Sequence, residues 1–147
     1  MKIYFLFLLS LIGSIISYFT LQTQSNYSKY TAILYAIFSL LLDLLSLFIF
    51  AFVLKILKVK NPLKISLKAY AIMWMFDIFD LKQNLRFLSN IGPFLSCIYL
   101  FNVLKIKINI KIYLIILWVS LYILDALICE LIASSPIFKA ILNGIKI

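Results

Sequence analysis

The feature that most constrains the fold is a run of 24 residues, 31–54, in which Asp43 is the one charged side chain. A helix of this length is long enough to cross the roughly 30 Å hydrocarbon core of a bilayer. Apolar residues make up 65% of the chain and charged residues 13%, whereas soluble domains average roughly 45–50% and 25%. A soluble domain of 147 residues could not bury so much apolar surface. We therefore predict an integral membrane protein.

Helices are predicted rather than the strands of a barrel, because three glycines and three prolines leave few breakers. The apolar runs predict five membrane spans, over residues 3–19, 31–54, 65–81, 87–104 and 112–132. Ser135 and Pro136 are typical of a helix start, and they predict a short amphipathic helix over residues 136–146. The predicted fold class is all-α, with residues 1–147 forming one five-helix transmembrane bundle.

The first apolar run also resembles a signal peptide, because Met1 and Lys2 give it a basic start. It is longer than the usual apolar region of roughly 7–15 residues, and no A-x-A cleavage site follows it. We interpret it as a retained first span.

Lysines mark two of the predicted loops and decide the topology. They are Lys55, Lys58, Lys60, Lys64 and Lys68 before the third span, and Lys105, Lys107 and Lys111 before the fifth. The positive-inside rule places both sets in the cytoplasm, which requires an even number of spans between them. The predicted topology therefore has its amino terminus inside and its carboxyl terminus outside. These lysines are predicted to contact anionic lipid or a membrane partner, and the simpler alternative is a topology signal alone.

Three acidic residues fall inside predicted spans, namely Asp43, Asp77 and Asp125. A charged side chain at mid-bilayer costs at least about 2.5–3.5 kcal/mol, so each acid needs a partner, water or a proton. Asp77 and Asp125 are predicted at similar depth, where two carboxylates that meet would favour a shared proton or a bound cation. In the alternative, protonated acids bond to groups on neighbouring helices. Candidate partners are Ser89, Asn90, Ser96, Tyr122 and Arg86.

Enzymatic signatures are missing from the sequence. The chain has no histidine, no P-loop, no G-x-G-x-x-G and no G-x-G-D setting around its aspartates. Cys97 and Cys129 lie in apolar runs without C-x-x-C spacing and are interpreted as small buried residues. We predict no enzymatic activity, no cofactor and no metal site. Nucleic acid is not an expected partner despite the net charge of +9, because the basic residues lie mainly between apolar runs.

Residues 33–128 resemble the Yip1 domain family in the order of their features. The stretches that carry the resemblance are "FVLKILKVKNPLKISL", "KAYAIMWMFDIF", Gly92-Pro93 and "NVLKIKINIKIY". The resemblance implies an all-helical fold with five spans. In "MWMF" this chain departs from the proline often found inside the family's third span. The long polar region that precedes the spans in eukaryotic members has no counterpart here, so their role in vesicle traffic is not implied.

Three functions are compatible with these features. The leading hypothesis is a non-catalytic membrane protein that acts by association with lipids, with other membrane proteins or with further copies of itself. The second is a small transporter, or a component of an ion or proton pathway, built on Asp43, Asp77 and Asp125. The third is a holin-like or toxin-like membrane protein, although such proteins are usually shorter. The expected location is the cell membrane, as a multi-pass protein, and heavy isoleucine and lysine usage favours a bacterial inner membrane.

Overall fold

The structure is a computed structural model that describes residues 3–24, 29–77, 79 and 83–135. Within these ranges the chain is all-helical and contains no strand. The elements are α1 (Ile3–Gln24), α2 (Lys29–Ile56), α3 (Pro62–Asp77), a 3₁₀ helix (Gln83–Leu88), α4 (Ile91–Val103) and α5 (Ile108–Ser134). The helix predicted over residues 136–146 lies outside the described residues.

All five helices differ in their bounds from the predicted spans, and the differences at α3, α4 and α5 bear most on the bundle. α3 begins at Pro62, whose fixed φ and missing N–H suit the first turn of a helix. The predicted span 87–104 is divided between the 3₁₀ helix and α4, and Pro93 lies in the first turn of α4. α5 begins at Ile108, four residues before the predicted start of the fifth span at residue 112.

Two described helices are long and apolar enough to cross a membrane, over Ala36–Ile56 and Ile108–Ile132. Only a minority of their side chains are buried, and Leu41, Phe52 and Leu131 are 58–67% exposed. Such a continuous apolar exterior is unusual for a soluble monomer. The apolar segments Leu8–Ser17 and Ile91–Val103 are shorter.

α2 ends in a Schellman motif that turns the chain into α3. Val59 N–H donates to Leu54 O at 3.0 Å, and Lys58 N–H donates to Lys55 O at 2.9 Å. Lys58 has a φ of 56°, the left-handed conformation that this motif requires at its turn residue. The short loop that results, residues 57–61, leaves Lys58 and Lys60 exposed.

α3 and α4 pack antiparallel and very close together. A Cβ atom on Gly92 would lie 3.0 Å from Met73 O, and Ser96 Oγ donates to Ala69 O at 3.0 Å. Later residues of α4 therefore lie beside earlier residues of α3, and the end of α4 lies near the start of α3. The loops at residues 57–61 and 104–107 are thus at the same end of this helix pair.

Aromatic side chains form the centre of the core between α2, α3 and α5. The ring centroids of Tyr70 and Trp118 are 4.5 Å apart, those of Phe50 and Trp118 5.0 Å, and those of Tyr70 and Trp74 5.5 Å. All four side chains are buried. We call these four residues the aromatic cluster. Along α2, α3 and α5 it lies between the lysine-bearing loops and the acidic residues.

Candidate functional site: a carboxylate cavity and a lysine-rich end

The three acids predicted inside spans all line one cavity of about 160 Å³ between α1, α2, α3 and α5. We call it the carboxylate cavity and define it by Asp43, Asp77 and Asp125 together with the hydroxyl side chains of Ser14, Ser17 and Ser39. A water molecule needs roughly 10–15 Å³ of such volume, so the cavity has room for a small solute or several waters. It is a polar space inside an otherwise apolar bundle.

Helical spacing explains why these side chains share the cavity. Ser39 and Asp43 are four residues apart on α2, and Tyr122 and Asp125 are three apart on α5. Trp74 and Asp77 have the same spacing of three on α3. Residues three or four apart lie on one face of a helix, so each helix turns a polar face inward here.

Asp43 is tied to the neighbouring helix α3. Trp74 Nε1 donates a hydrogen bond to Asp43 Oδ2 at 3.1 Å. The Asp43 side chain is half-buried, and it lines the same cavity as Asp125. An anionic group in this position is stabilised by one indole donor and shares the cavity with a second carboxylate.

Asp125 is the most deeply buried of the three acids, with 9% of its surface exposed. Ser46 Oγ donates to Asp125 Oδ1 at 2.8 Å, which links α5 to α2. The other carboxylate oxygen, Oδ2, is fully buried and has no hydrogen-bond partner in the part of the chain that the structure describes. A buried charged oxygen without a partner is costly, so Oδ2 is a polar atom that the described part of the fold leaves unsatisfied.

Asp77 lies half-buried at the end of α3 and interacts with another group. The sequence placed Asp77 and Asp125 at one depth, and the structure adds Asp43 to the same cavity wall. In the described ranges, no three or more His, Cys, Asp and Glu side chains have the spacing to hold a metal ion.

Two groups that bond to the acids are not among the partners predicted from the sequence. Ser46 and Trp74 donate to Asp125 and Asp43, whereas Ser96, a candidate partner, donates to the Ala69 carbonyl instead. The sequence does indicate that Trp74 and Ser46 lie on the same helix faces as acids, because Trp74 lies three residues before Asp77 and Ser46 lies three residues after Asp43. That spacing extends the polar face of each helix, although it does not say which neighbouring helix the face meets.

The second notable region is the end of the bundle that carries the lysine loops, which we call the lysine end. Six of its eight lysines are exposed, namely Lys55, Lys58, Lys60, Lys64, Lys105 and Lys107. Lys68 and Lys111 are half-buried. Lys111 Nζ donates to Phe101 O at 3.0 Å and lies 5.0 Å from the centroid of the Phe101 ring, so it holds the end of α4.

An apolar groove of about 530 Å³ runs along α2 to the start of α3 at this end. Its walls include Phe48, Phe52, Pro62 and Leu63, and Lys55 also lines it. We call it the α2–α3 groove. Its lining is apolar over nearly its whole length, with this single cation among the lining residues.

Comparison with protein-family models, with curated proteins and with solved structures gives no match to this chain. The resemblance to the Yip1 domain family therefore stays a prediction from the residues quoted for it.

Proposed function

We propose that this chain is a non-catalytic, Yip1-like membrane protein that acts by associating with anionic lipids, with other membrane proteins or further copies of itself as additional partners. In this proposal it crosses a bacterial inner membrane five times, with its amino terminus and lysine end in the cytoplasm. The two long apolar helices and their exposed side chains support a membrane location.

The antiparallel packing of α3 on α4 supports the proposed topology, because it brings the two lysine loops to one end. α3 has 16 residues and α4 has 13, and at 1.5 Å per residue they extend about 24 and 20 Å, less than a bilayer core. Short spans are tolerated where flanking lysines reach the interface or the bilayer thins. Lys68 on α3 is half-buried, as such a snorkelling residue should be.

The observation that carries the proposal is the α2–α3 groove with the exposed lysines beside it. Its apolar walls suit an acyl chain, and Lys55, the cation among the lining residues, would pair with the phosphate of that lipid. No acidic residue occurs between Asp43 and Asp77, so the lysines there are not neutralised locally. Each lysine near an anionic leaflet contributes about 1 kcal/mol to the attraction.

The test compares phosphatidylglycerol with phosphatidylcholine bound to the full chain, measured by native mass spectrometry after purification from mixed vesicles. The variant replaces four exposed lysines by glutamine: Lys55→Gln, Lys58→Gln, Lys60→Gln and Lys64→Gln. We expect the preference for phosphatidylglycerol to fall at least about tenfold, since up to four contributions of about 1 kcal/mol are lost. Lys29→Gln, at the other end of α2, is the control and should keep the preference. An unchanged preference in the quadruple variant would remove the proposal.

The carboxylate cavity favours a second candidate function, that of a small transporter or a component of an ion or proton pathway. Three acids on one polar cavity are an arrangement suited to binding positive charge. In proteoliposomes this candidate requires proton or cation flux that Asp125→Asn abolishes. If the native protein carries no flux, transport should be dropped.

A further inference from the structure

We propose that the exposed side of α4 thins the bilayer beside it and so speeds the movement of phospholipids between the two leaflets. We call this side the α4 face and define it by Asn90, Phe94, Ile98 and Asn102. The inference rests on the proposed membrane location. It goes beyond lipid association, because it gives the chain an effect on the bilayer itself and involves no chemical step.

The α4 face is a ridge of exposed side chains along one helix. Its four residues follow one another at intervals of four, which places them on the same side of α4. Phe94 is 66% exposed and Ile98 is 43% exposed, and Asn90 and Asn102 are exposed as well. The apolar surface of this ridge therefore lies between two amide side chains.

The height of the α4 face is less than the thickness of an ordinary bilayer core. Asn90 and Asn102 are 12 residues apart, which at 1.5 Å per residue is about 18 Å. The hydrocarbon core is about 30 Å thick, so the ridge is about 12 Å too short. By the same measure, the apolar segments Ala36–Ile56 and Ile108–Ile132 extend about 32 and 38 Å. In a membrane, α2 and α5 therefore match the core, whereas α4 does not.

Asparagine cannot correct this mismatch in the way that lysine can. A lysine buries its long apolar stem and carries its ammonium group to the interface, whereas the amide of an asparagine lies close to the backbone. An amide that faces hydrocarbon without a hydrogen-bond partner is costly. Head groups and water should therefore reach both asparagines, which makes the bilayer thinner beside α4.

The residues beyond the two ends of the ridge also suit the head-group region. Lys105 and Lys107 follow Asn102 and are exposed. Asn84 and Phe87 are exposed on the 3₁₀ helix that precedes α4, and aromatic side chains such as Phe87 are common close to the interface. Both ends of the α4 face are thus followed by side chains that favour contact with head groups or water.

A thinner bilayer lowers the barrier to lipid exchange between leaflets. The barrier arises because a polar head group must leave water and cross hydrocarbon. Local thinning and water defects lower the cost of a charged side chain near mid-bilayer, and they act on a head group in the same way. Beside α4 a phospholipid would cross about 18 Å of hydrocarbon instead of about 30 Å.

The test reconstitutes the full chain into vesicles of phosphatidylcholine and phosphatidylglycerol with a trace of NBD-labelled phosphatidylglycerol. Dithionite bleaches the label in the outer leaflet, and the later loss of fluorescence reports lipids that move outward. We expect this movement to be at least about tenfold faster than in protein-free vesicles. Small-angle X-ray scattering at a high ratio of protein to lipid should show a thinner bilayer. A rate equal to that of protein-free vesicles would overturn the inference, and so would faster movement without thinning.

Substitutions at both ends of the ridge locate the effect. Asn90→Leu combined with Asn102→Leu extends the apolar surface at both ends, and we expect the rate to fall toward that of protein-free vesicles. The Asn90 side chain makes no capping hydrogen bond, so its replacement removes no such bond at the start of α4. Ser120→Leu is the matched control and should keep the native rate, because Ser120 is exposed on α5, which already matches the core. An unchanged rate in the double variant would overturn the role of the α4 face.

Two further measurements separate this inference from the proposed lipid association. Circular dichroism checks the fold of the double variant, and if it does not fold, Asn102→Leu alone takes its place with a smaller expected fall in rate. The variant with four lysines replaced by glutamine should keep the native rate. If its lipid preference is also unchanged, lipid association is removed and this inference stands. A chain that does not float with the vesicles would remove the membrane location and this inference together.

Discussion

Ser46 on α2 donates a 2.8 Å hydrogen bond to Asp125 on α5, inside the protein. The two residues lie within the two segments that are apolar and long enough to cross a bilayer. A buried polar contact between two such helices favours one rotation and one shift of the helices relative to each other, because turning or sliding either helix breaks the bond.

Replacing Ser46 by alanine is expected to lower the free energy of unfolding by about 1–2 kcal/mol. The change removes the donor to Asp125 Oδ1 and leaves both carboxylate oxygens without a described partner. The measurement is unfolding of the detergent-solubilised chain in sodium dodecyl sulfate, followed by circular dichroism. Ser120→Ala, at an exposed serine of α5, is the control and should have little effect. Equal stability of the two variants would contradict the proposed importance of the bond.

The two tryptophans are expected to respond differently to the same substitution. Trp74 Nε1 donates to Asp43, whereas Trp118 Nε1 is buried without a hydrogen-bond partner among the described residues. Both side chains lose similar packing when replaced by phenylalanine, because both are at most 4% exposed. Trp74→Phe should therefore lower the free energy of unfolding by about 1–2 kcal/mol more than Trp118→Phe. The same denaturation measurement applies, and the opposite order would show that the indole bond to Asp43 contributes little.

Two helical glycines provide a matched test of close packing. A Cβ on Gly92 would meet Met73 O and Phe76 Cβ at 3.0 Å, whereas a Cβ on Gly13 would meet Trp74 atoms at 3.5–3.6 Å. Gly92→Ala should lower the free energy of unfolding by about 1–3 kcal/mol, because α3 and α4 must move apart. Gly13→Ala meets ordinary contacts and should be neutral or stabilising by up to about 1 kcal/mol, the helix propensity of alanine over glycine. If both changes were tolerated equally, the α3–α4 packing would be looser than the structure shows.

Cysteine labelling tests the topology. Lys58→Cys and Lys107→Cys, made in a chain with Cys97→Ala and Cys129→Ala, should react with an impermeant maleimide only after the cells are permeabilised, because both loops lie at the cytoplasmic end in the proposal. Ser135→Cys, at the far end of α5, should react in intact cells. Reaction of positions 58 and 107 from opposite sides of the membrane would overturn the topology.

The helices could be predicted where length and apolarity were sufficient. The runs around residues 31–54 and 112–132 became α2 and α5, each longer by a few residues than predicted. The span predicted at residues 87–104 contains the Gly92-Pro93 pair and became a 3₁₀ helix followed by a 13-residue α4. Apolarity alone does not reveal such an interruption, because phenylalanine and leucine occur on both sides of it.

The carboxylate cavity could be predicted only in part. A hydropathy profile shows Asp43, Asp77 and Asp125 as charged residues inside apolar spans. The free-energy cost of exposing a charge to lipid predicts that they face inward. It does not predict that Trp74 and Ser46 hold two of them, because those bonds depend on the rotation of each helix against its neighbours. That rotation is set by contacts such as Gly92 against Met73, which no periodicity in one helix encodes.

The aromatic cluster closes one side of the carboxylate cavity, so the two ends of the bundle differ. Phe50, Tyr70, Trp74 and Trp118 form a layer of buried rings between the acids and the lysine-bearing loops. A solute that reached the acids from the opposite end would meet this layer and would have to leave by the same route unless the rings moved. Occupancy of the carboxylate cavity would then depend on the solute concentration at that end alone.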